Sequence, residues 1–406
     1  MEEDSSSSSS SSSNLCKQVP LDVSSFVDAF VDFSATGLFF PQNSNPKTSS
    51  PPTSPPQTRH PSPPRLLAIG DLHGDLDKTL QALSLSGIID ARSLRWTGGD
   101  AVAVQLGDVL DRGSDELKLL YLLHRLKLEA ERSGGALLTL LGNHEVMNVD
   151  RNFRYVTPSA LREFQIWADW FQLGNSMKSL CQGIETPEDI FRGIPRKFPG
   201  IREEFHAGFR ARIAALRPNG PITKRFLSGN PAVLVVGDSI FVHGGLLPEH
   251  VDYGLDKINE EVWDWINGMG GRLLPAFLTG PNAVVWARRF SQEQEKKCDC
   301  STLEHVLATI PGARRMIMGH TIQMAGINGV CSNQAIRVDV GMSRGCGDGL
   351  PEVLEIVGNS DGLRVLTSNP VYKRDRFNAK SKEAGEKVGL GMLVSDHGLK
   401  QLEVNA

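Results

Sequence analysis

No apolar run in the chain approaches the roughly 20 residues that a membrane-spanning helix needs, so the expectation is a soluble protein with no membrane partner. Positive charge is not in excess either. The 43 Lys and Arg residues stand against 47 Asp and Glu, a net charge of −4, which leaves no electrostatic footprint for nucleic acid. The N-terminus, Met1-Glu2-Glu3-Asp4 followed by a serine tract, lacks the basic residues of signal and transit peptides. The expected location is cytoplasmic, with the mitochondrial intermembrane space as the alternative. The six cysteines, Cys16, Cys181, Cys298, Cys300, Cys331 and Cys346, show no zinc-finger spacing, so no structural zinc is implied. Cys298 with Cys300, and Cys331 with Cys346, are the pairs that would form disulfides under oxidising conditions; a reducing cytosol would keep them as thiols.

What is present suffices for a full-size globular core, with 40% hydrophobic residues in 406. Residues 1–64 read as a disordered serine tail, an amphipathic helix and a linker. Val19, Val23, Phe26, Phe30 and Phe33 fall at helical spacing, and Gly37 and Pro41 mark the end of that helix. Its apolar face docks on the chain's own folded surface or offers a groove contact to a partner protein. Pro41 to Pro64, rich in Pro, Ser and Thr, reads as a flexible linker. The main folded domain is expected over 65–370, with a largely helical insertion at 145–230 that could act as a lid, and a polar tail over 371–406.

Within the domain, Leu66 to Ile69, Ala101 to Leu106 and Ala136 to Leu141 read as strands, with amphipathic helices over Asp75–Ser86 and Ser114–Glu131 between them. Ala232–Val236 and Ser239–Val242 read as a hairpin turning at Gly237-Asp238, and Ala335–Val340, Glu352–Val357 and Leu363–Thr367 as further strands. In the insertion, Thr157-Pro158 and Thr186-Pro187 are helix starts of the cap-then-proline kind. Trp167, Trp170 and Phe171 would line a substrate groove or fill core.

The chemistry sits where strand runs end. Gly70-Asp71-Leu72-His73-Gly74, Gly107-Asp108-Val109-Leu110-Asp111-Arg112-Gly113 and Gly142-Asn143-His144-Glu145 follow the first three strands, and His243-Gly244-Gly245 and Gly319-His320-Thr321 come later. The carboxyl edge is where open α/β sheets build their sites. Two divalent cations held close together need an anionic bridge, and Asp108 is the candidate. Asp71 and His73, alternate residues sharing a face, would complete the first metal; Asn143, His243 and His320 would complete the second. A hydroxide bridging the ions would be the nucleophile. Carboxylate, amide and imidazole ligands suit Mn²⁺ first, with iron or zinc open.

Outside the metal shell, Arg112 can grip two phosphoryl oxygens with its planar fork, and Arg288 is the candidate for a second phosphate-binding arginine. His144 is placed to protonate the leaving alkoxide, and Asp111 to orient His144 and raise its pKa. Singly, each signature has a blander reading: Asp-x-His is usually a turn or cap, and Asp-Arg-Gly is common in loops. Their order and strand-end placement are what specify a metallophosphoesterase.

This set of motifs resembles the phosphoprotein phosphatases of the metal-dependent serine/threonine class, within the calcineurin-like metallophosphoesterases, over about Arg65 to Thr367. Val338-Asp339-Val340-Gly341-Met342-Ser343 and Pro351 to Ile356 are similar to the Shewanella-like protein phosphatases, a bacterial-type branch found in plants. The resemblance implies an α/β sandwich of two mixed β-sheets flanked by helices, a dinuclear metal site, and hydrolysis of phospho-Ser/Thr, or phospho-Tyr, in phosphoprotein substrates. The alternative is a dinucleoside polyphosphate or other small-molecule phosphoesterase. The toxin-binding Ser-Ala-Pro-Asn-Tyr run of the eukaryotic enzymes is missing after Gly341, which implies weak inhibition by microcystin and okadaic acid.

Overall fold

The computed structural model describes residues 9–38, 52–181, 184, 189–269, 271, 273–358 and 362–369. The helix start expected at Thr186-Pro187, the Pro41–Pro51 part of the expected linker and the 371–406 tail lie outside the described residues.

Strands β1 (Arg59–His60), β2 (Arg65–Ile69), β3 (Val102–Gln105), β4 (Ala136–Thr139), β5 (Val233–Val236), β6 (Ser239–Val242), β7 (Arg315–Met318), β8 (Asn328–Val330), β9 (Ala335–Arg337), β10 (Glu352–Val357) and β11 (Gly362–Thr367) form two mixed sheets. Their orders are β1-β5-β6-β7-β9-β8 and β11-β10-β2-β3-β4. Pairing is parallel between β2, β3 and β4 and between β6, β7 and β9, so each sheet presents three neighbouring carboxyl ends along one edge. The expected β5–β6 hairpin forms antiparallel. β7 and β8 are strands that the apolar patterning above did not single out.

Alternation along the strands explains the layering. Leu66, Ala68, Val104, Leu234, Val236, Phe241, Ile317, Ile336, Leu354 and Ile356 form one buried cluster between the sheets. Their neighbours Leu67, Ile69, Ala103, Leu137, Val233, Val235, Ile240, Val242, Met316 and Met318 face the outer helices. Burial on both faces is why these strands read as continuous apolar runs rather than alternating ones. Emptying a position such as Phe241, which is fully buried, would cost about 3–5 kcal/mol.

The helices are α1 (Ser9–Thr36), α2 (Leu76–Leu85), α3 (Glu116–Arg132), α4 (Asn143–Val149), α5 (Pro158–Ser179), α6 (His206–Leu216), α7 (Pro248–Tyr253), α8 (Leu255–Ile266) and α9 (Cys300–Thr309). Asp75 caps α2 by accepting from the Lys78 amide, and Thr157 caps α5 by accepting from Ala160, with Pro158 in its first turn.

Three expectations change here. The N-terminal helix starts at Ser9, inside the serine tract, and its docking face carries Val27, Phe30 and Val31, not Phe26 and Phe33, which are 61% and 53% exposed. The reason lies in the partner helix: Gly174 of α5 leaves room for Val31, since a Cβ there would sit 2.5 Å from its methyl. Phe30 meets Trp170 edge-on at 5.6 Å, and the Asp32 carboxylate takes both ends of the Arg225 fork at 2.7 and 2.6 Å. The linker also ends early, because β1 adds to the edge of β5, with Val235 N donating to Thr58 O and Gly237 N to His60 O. An open sheet edge favours such covering.

The third change concerns the cysteines: Cys300 is bonded to Cys331, and neither expected pair forms. The first turn of α9 and the turn between β8 and β9 bring their Cα atoms to 5.3 Å, within disulfide reach, whereas Cys298 is a buried free thiol beside Arg337 and Cys346 lies in the pocket described below. Of the three aromatic residues named for α5, Trp167 is core, with Phe171 stacked on it at 5.0 Å, and the half-buried Trp170 meets Phe30 of α1. No helix among the described residues is long and apolar enough to cross a membrane.

Candidate metal centre

A pocket of about 320 Å³ opens along the shared carboxyl edge, lined among others by Asp71, His73, Asp108, Asn143, His320 and Asp339. Asp71 and His73 follow β2, Asp108 follows β3, and Asn143 follows β4; His243 follows β6, His320 follows β7 and Asp339 follows β9. All seven are buried. The six expected metal ligands are therefore brought together, four from the ends of three strands of the five-stranded sheet and two from the six-stranded sheet.

Asp108 is the hub. His73, Asp108 and His144 form one group whose ligand-type atoms lie within 4.8 Å of one another, and Asp108, His243 and His320 form another. The Asp108 Oδ2 atom is 3.2 Å from His243 Nε2, 3.6 Å from His73 Nε2 and 3.8 Å from His144 Nε2. Asn143 Oδ1 lies 2.9 Å from His243 Nε2. The far ring nitrogens are anchored: His243 Nδ1 donates to Leu106 O at 2.7 Å and His73 Nδ1 to Leu110 O at 3.0 Å. That choice of tautomer turns each Nε2 lone pair toward the oxygens of Asp108 and Asn143, the orientation that ligating imidazoles adopt.

Several features fit divalent cations at this place. Neutral imidazole lone pairs facing carboxylate and amide oxygens need a positive charge between them, which a bound cation supplies, or at His243 a proton, since Asp108 raises the pKa of that ring against the effect of burial. His320 Nε2 is buried with no hydrogen-bond partner. Burial, with the charges of Asp339 and Asp108 added, pushes Asp71 well above the ordinary carboxylate range, and Asp339 is pushed up to about 6 chiefly by burial. Burial brings His73 down to about 4 and His320 to about 2, so both rings are neutral donors. At Asp108 burial is outweighed by His243, His144 and His73, which hold it well below its usual value. The donor set contains carboxylate, amide and neutral imidazole, and the Cys346 thiol in the wall is pushed up to about 12 by burial, which keeps it protonated.

The rest of the pocket holds the expected non-ligand groups. His144 Nδ1 is 2.7 Å from Asp111 Oδ2. Burial would lower His144, but Asp108 and Asp111 outweigh it and raise its pKa. Arg112 and Arg288 both line the pocket. Arg112 Nε is buried without a hydrogen-bond partner, and its guanidinium lies 4.6 Å over the Tyr155 ring. Arg288 Nη1 donates to His320 O and to Thr321 Oγ1, each at 2.8 Å. His73, Asp108, Asp111, Arg112 and His320 all have left-handed backbones, with φ between 45° and 69°. Such strain concentrates at functional sites.

Four contributors were missed. Asp339 ends the β9 run as Asp71 ends β2, and that strand-end position was its available signal. Glu145 takes the Asp108 and Gly142 amides at 2.8 Å on one oxygen and the Val109 and Leu110 amides at 2.8 and 3.0 Å on the other, clamping two of the motif loops together. Arg212, fully buried in α6, donates to Asp111 Oδ1 at 3.0 Å and to Asn148 Oδ1 at 2.8 Å, and pairs with Glu116 at 2.7 Å. Nothing in its apolar surroundings, Ala207 to Leu216, sets it apart from an ordinary surface arginine. Tyr155 touches both Arg112 and His144, the latter at 5.0 Å between ring centroids, and is the residue of the 145–230 insertion that lines the pocket.

Comparison with known proteins agrees with this geometry. The family model for calcineurin-like phosphoesterases matches residues 64–324. The chain is 58% identical over 395 residues to Shewanella-like protein phosphatase 2 of Arabidopsis thaliana, covering 97% of this chain and 98% of that protein. It is 26% identical over 289 residues to Shewanella-like protein phosphatase 1 of Plasmodium berghei, covering 69% and 67%. Among solved structures, the cold-active protein-tyrosine phosphatase of a psychrophilic Shewanella species shares the fold with a TM-score of 0.53 at 20% identity, over 81% of this chain and 87% of that one. The chain belongs to the calcineurin-like phosphoesterase family of divalent-metal hydrolases and, within it, to the Shewanella-like protein phosphatases.

Proposed function

We propose that the chain hydrolyses phosphomonoesters of phosphoproteins at this pocket, with Asp71, His73 and Asp108 holding one divalent cation and Asp108, Asn143, His243 and His320 holding a second. The observation that carries the reading is the pair of donor groups sharing the single carboxylate of Asp108. Bound there, two cations would acidify water and neutralise the ester's charge; manganese is our first choice, with iron and zinc next. Arg112, backed by Tyr155 and with Nε uncommitted, offers its fork to the phosphoryl oxygens. Arg288 stands on the other wall, already aimed by His320 O and Thr321. His144 delivers the proton to the leaving oxygen from Nε2, while Asp111, kept ionised by His144 and Arg212 against the effect of burial, fixes the ring and favours its charged form.

The Cys300–Cys331 bond favours the intermembrane-space alternative for location, because structural disulfides persist in oxidising compartments. The activity is tested on the recombinant chain with Mn²⁺, para-nitrophenyl phosphate, phosphoserine, phosphothreonine and phosphotyrosine peptides, and diadenosine tetraphosphate. Turnover of the peptides above the dinucleotide is expected; the reverse order would install the small-molecule reading instead.

A further inference from the structure

Beside the metal pocket lies a second cavity of about 670 Å³, lined by Thr279, Gly280, Pro281, Asn282, Trp286, Arg288, Arg289 and Gln292. Trp286 and Arg288 line both, so the two cavities adjoin at these side chains. The second is about twice the volume of the first, 670 against 320 Å³, more room than a phosphorylated side chain already seated at the metals would use.

Its chemistry has one sign. Among the described residues two arginines line it and no carboxylate does. Arg288 is bonded to neutral acceptors on the metal side, a carbonyl and a hydroxyl, and keeps its charge uncompensated by a direct ion pair there. Arg289 is held through Nε by Asp299 at 2.8 Å, and Asp299 is itself anchored by capping α9 through Thr302. The pair fixes Arg289 in place from outside the cavity lining. Trp286, edge-on to His320 at 5.6 Å, forms the wall between the two spaces.

We propose that this cavity is a subsite for the substrate chain beside the phosphorylated residue, and that it selects acidic side chains there. The proposal rests on the phosphoprotein reading of the metal pocket and adds to it a preference: of two phosphoproteins with the same phosphorylated residue, the one with Asp or Glu flanking it is taken. A cation-lined wall adjoining the reaction site raises the local concentration of anionic segments and rejects basic ones.

The experiment compares two phosphopeptides with the same phosphorylated residue, one flanked on both sides by Asp and Glu and one by Lys, with para-nitrophenyl phosphate as a substrate without flanks. For the full-length Mn²⁺-loaded protein at low salt, kcat/KM should favour the acidic peptide by about fivefold or more, shrinking as KCl is added. Arg289→Glu should bring that ratio to one or invert it, Arg289→Lys should keep most of it, and turnover of para-nitrophenyl phosphate should be unchanged in both. Fluorescence anisotropy with the phosphonate analogues of the two peptides, which cannot be hydrolysed, should show the same ranking in binding. Equal kcat/KM for the two peptides, or a ratio that Arg289→Glu leaves alone, would overturn the subsite while leaving the phosphatase reading intact. Absent turnover of para-nitrophenyl phosphate would instead overturn the phosphatase reading on which it rests. Diadenosine tetraphosphate turnover exceeding both peptides and lost in Arg289→Glu would hand the cavity to a nucleotide and also end the proposal.

Discussion

In the five-stranded sheet the residues of the centre arrive in dense clusters: Asp71 and His73 after β2, Asp108 with Asp111 and Arg112 after β3, Asn143 with His144 and Glu145 after β4. In the six-stranded sheet each strand end delivers a single residue, His243, His320 or Asp339. The geometry is the same on both sides, three adjacent parallel strands ending at one edge. What differs is how closely the loops must cross. On the first sheet Leu72 N and His73 N donate to Asp108 O, Gly74 N donates to Val109 O, and a Cβ on Gly107 would sit 2.4 Å from the Gly142 amide. Loops that touch backbone to backbone demand glycine and strained turns, and these make recognisable motifs. The loops of the second sheet show such crowding at fewer places: Gly244 N and Gly245 N, just after His243, both donate to Val284 O, and Gly319 N, just before His320, donates to His243 O. The comparison teaches that motif density here reports backbone crowding, not the share of the chemistry.

Asp108 belongs to both halves, so its loss should be the most damaging. Asp108→Asn is expected to lower Mn²⁺-dependent turnover of para-nitrophenyl phosphate on the order of a thousandfold and to empty both metal positions by elemental analysis. A variant that kept two ions would break the idea of a shared bridge. His320→Ala touches the second half alone. It should retain one ion per chain and lose activity by roughly a hundredfold, and equal metal content to the unmodified protein would show that the six-stranded sheet contributes no ligand through His320.

Effects on substrate should be smaller and leave the metals in place. Arg112→Ala is expected to raise KM by roughly tenfold or more, and Tyr155→Ala to do part of the same through the loss of the ring that supports Arg112, whereas Tyr155→Phe keeps the ring and should stay near normal. A Tyr155→Ala protein with unchanged KM would remove the insertion from the site. Farthest from the centre, Cys331→Ser opens the Cys300–Cys331 bond. It should lower stability to chemical denaturation by about 3 kcal/mol with little change in kcat. A large loss of turnover would mean that the six-stranded sheet transmits strain from that turn to His320.

Legibility followed the same divide. The proposed ligands at the ends of β2, β3 and β4 could be picked out from sequence because strand, glycine turn and polar side chain are contiguous. Asp339 was overlooked because it stands alone after a short run, and β7 and β8 because Arg315 to Met318 and Asn328 to Val330 are too brief to show a period. The docking face of α1 was misjudged by one helical step: Phe26 and Phe33 are the more apolar choice, yet the partner surface, with its gap at Gly174 and its cation at Arg225, selects Val31 and Asp32.

By itself the chain order determined the local chemistry of this protein: which residue types end which strands, the tight turns that aim them, the absence of a membrane-length apolar helix, and the family to which the motifs belong. Tertiary structure alone decided which distant residues meet, namely Arg212 beneath Asp111, Tyr155 over Arg112, Cys300 with Cys331, and the arginine-lined cavity beside the Asp108 pocket. The physical reason is range. Turn and strand preferences act over a few residues and are written in the neighbouring sequence, whereas burial and charge pairing depend on which surfaces the packed sheets and helices bring into contact.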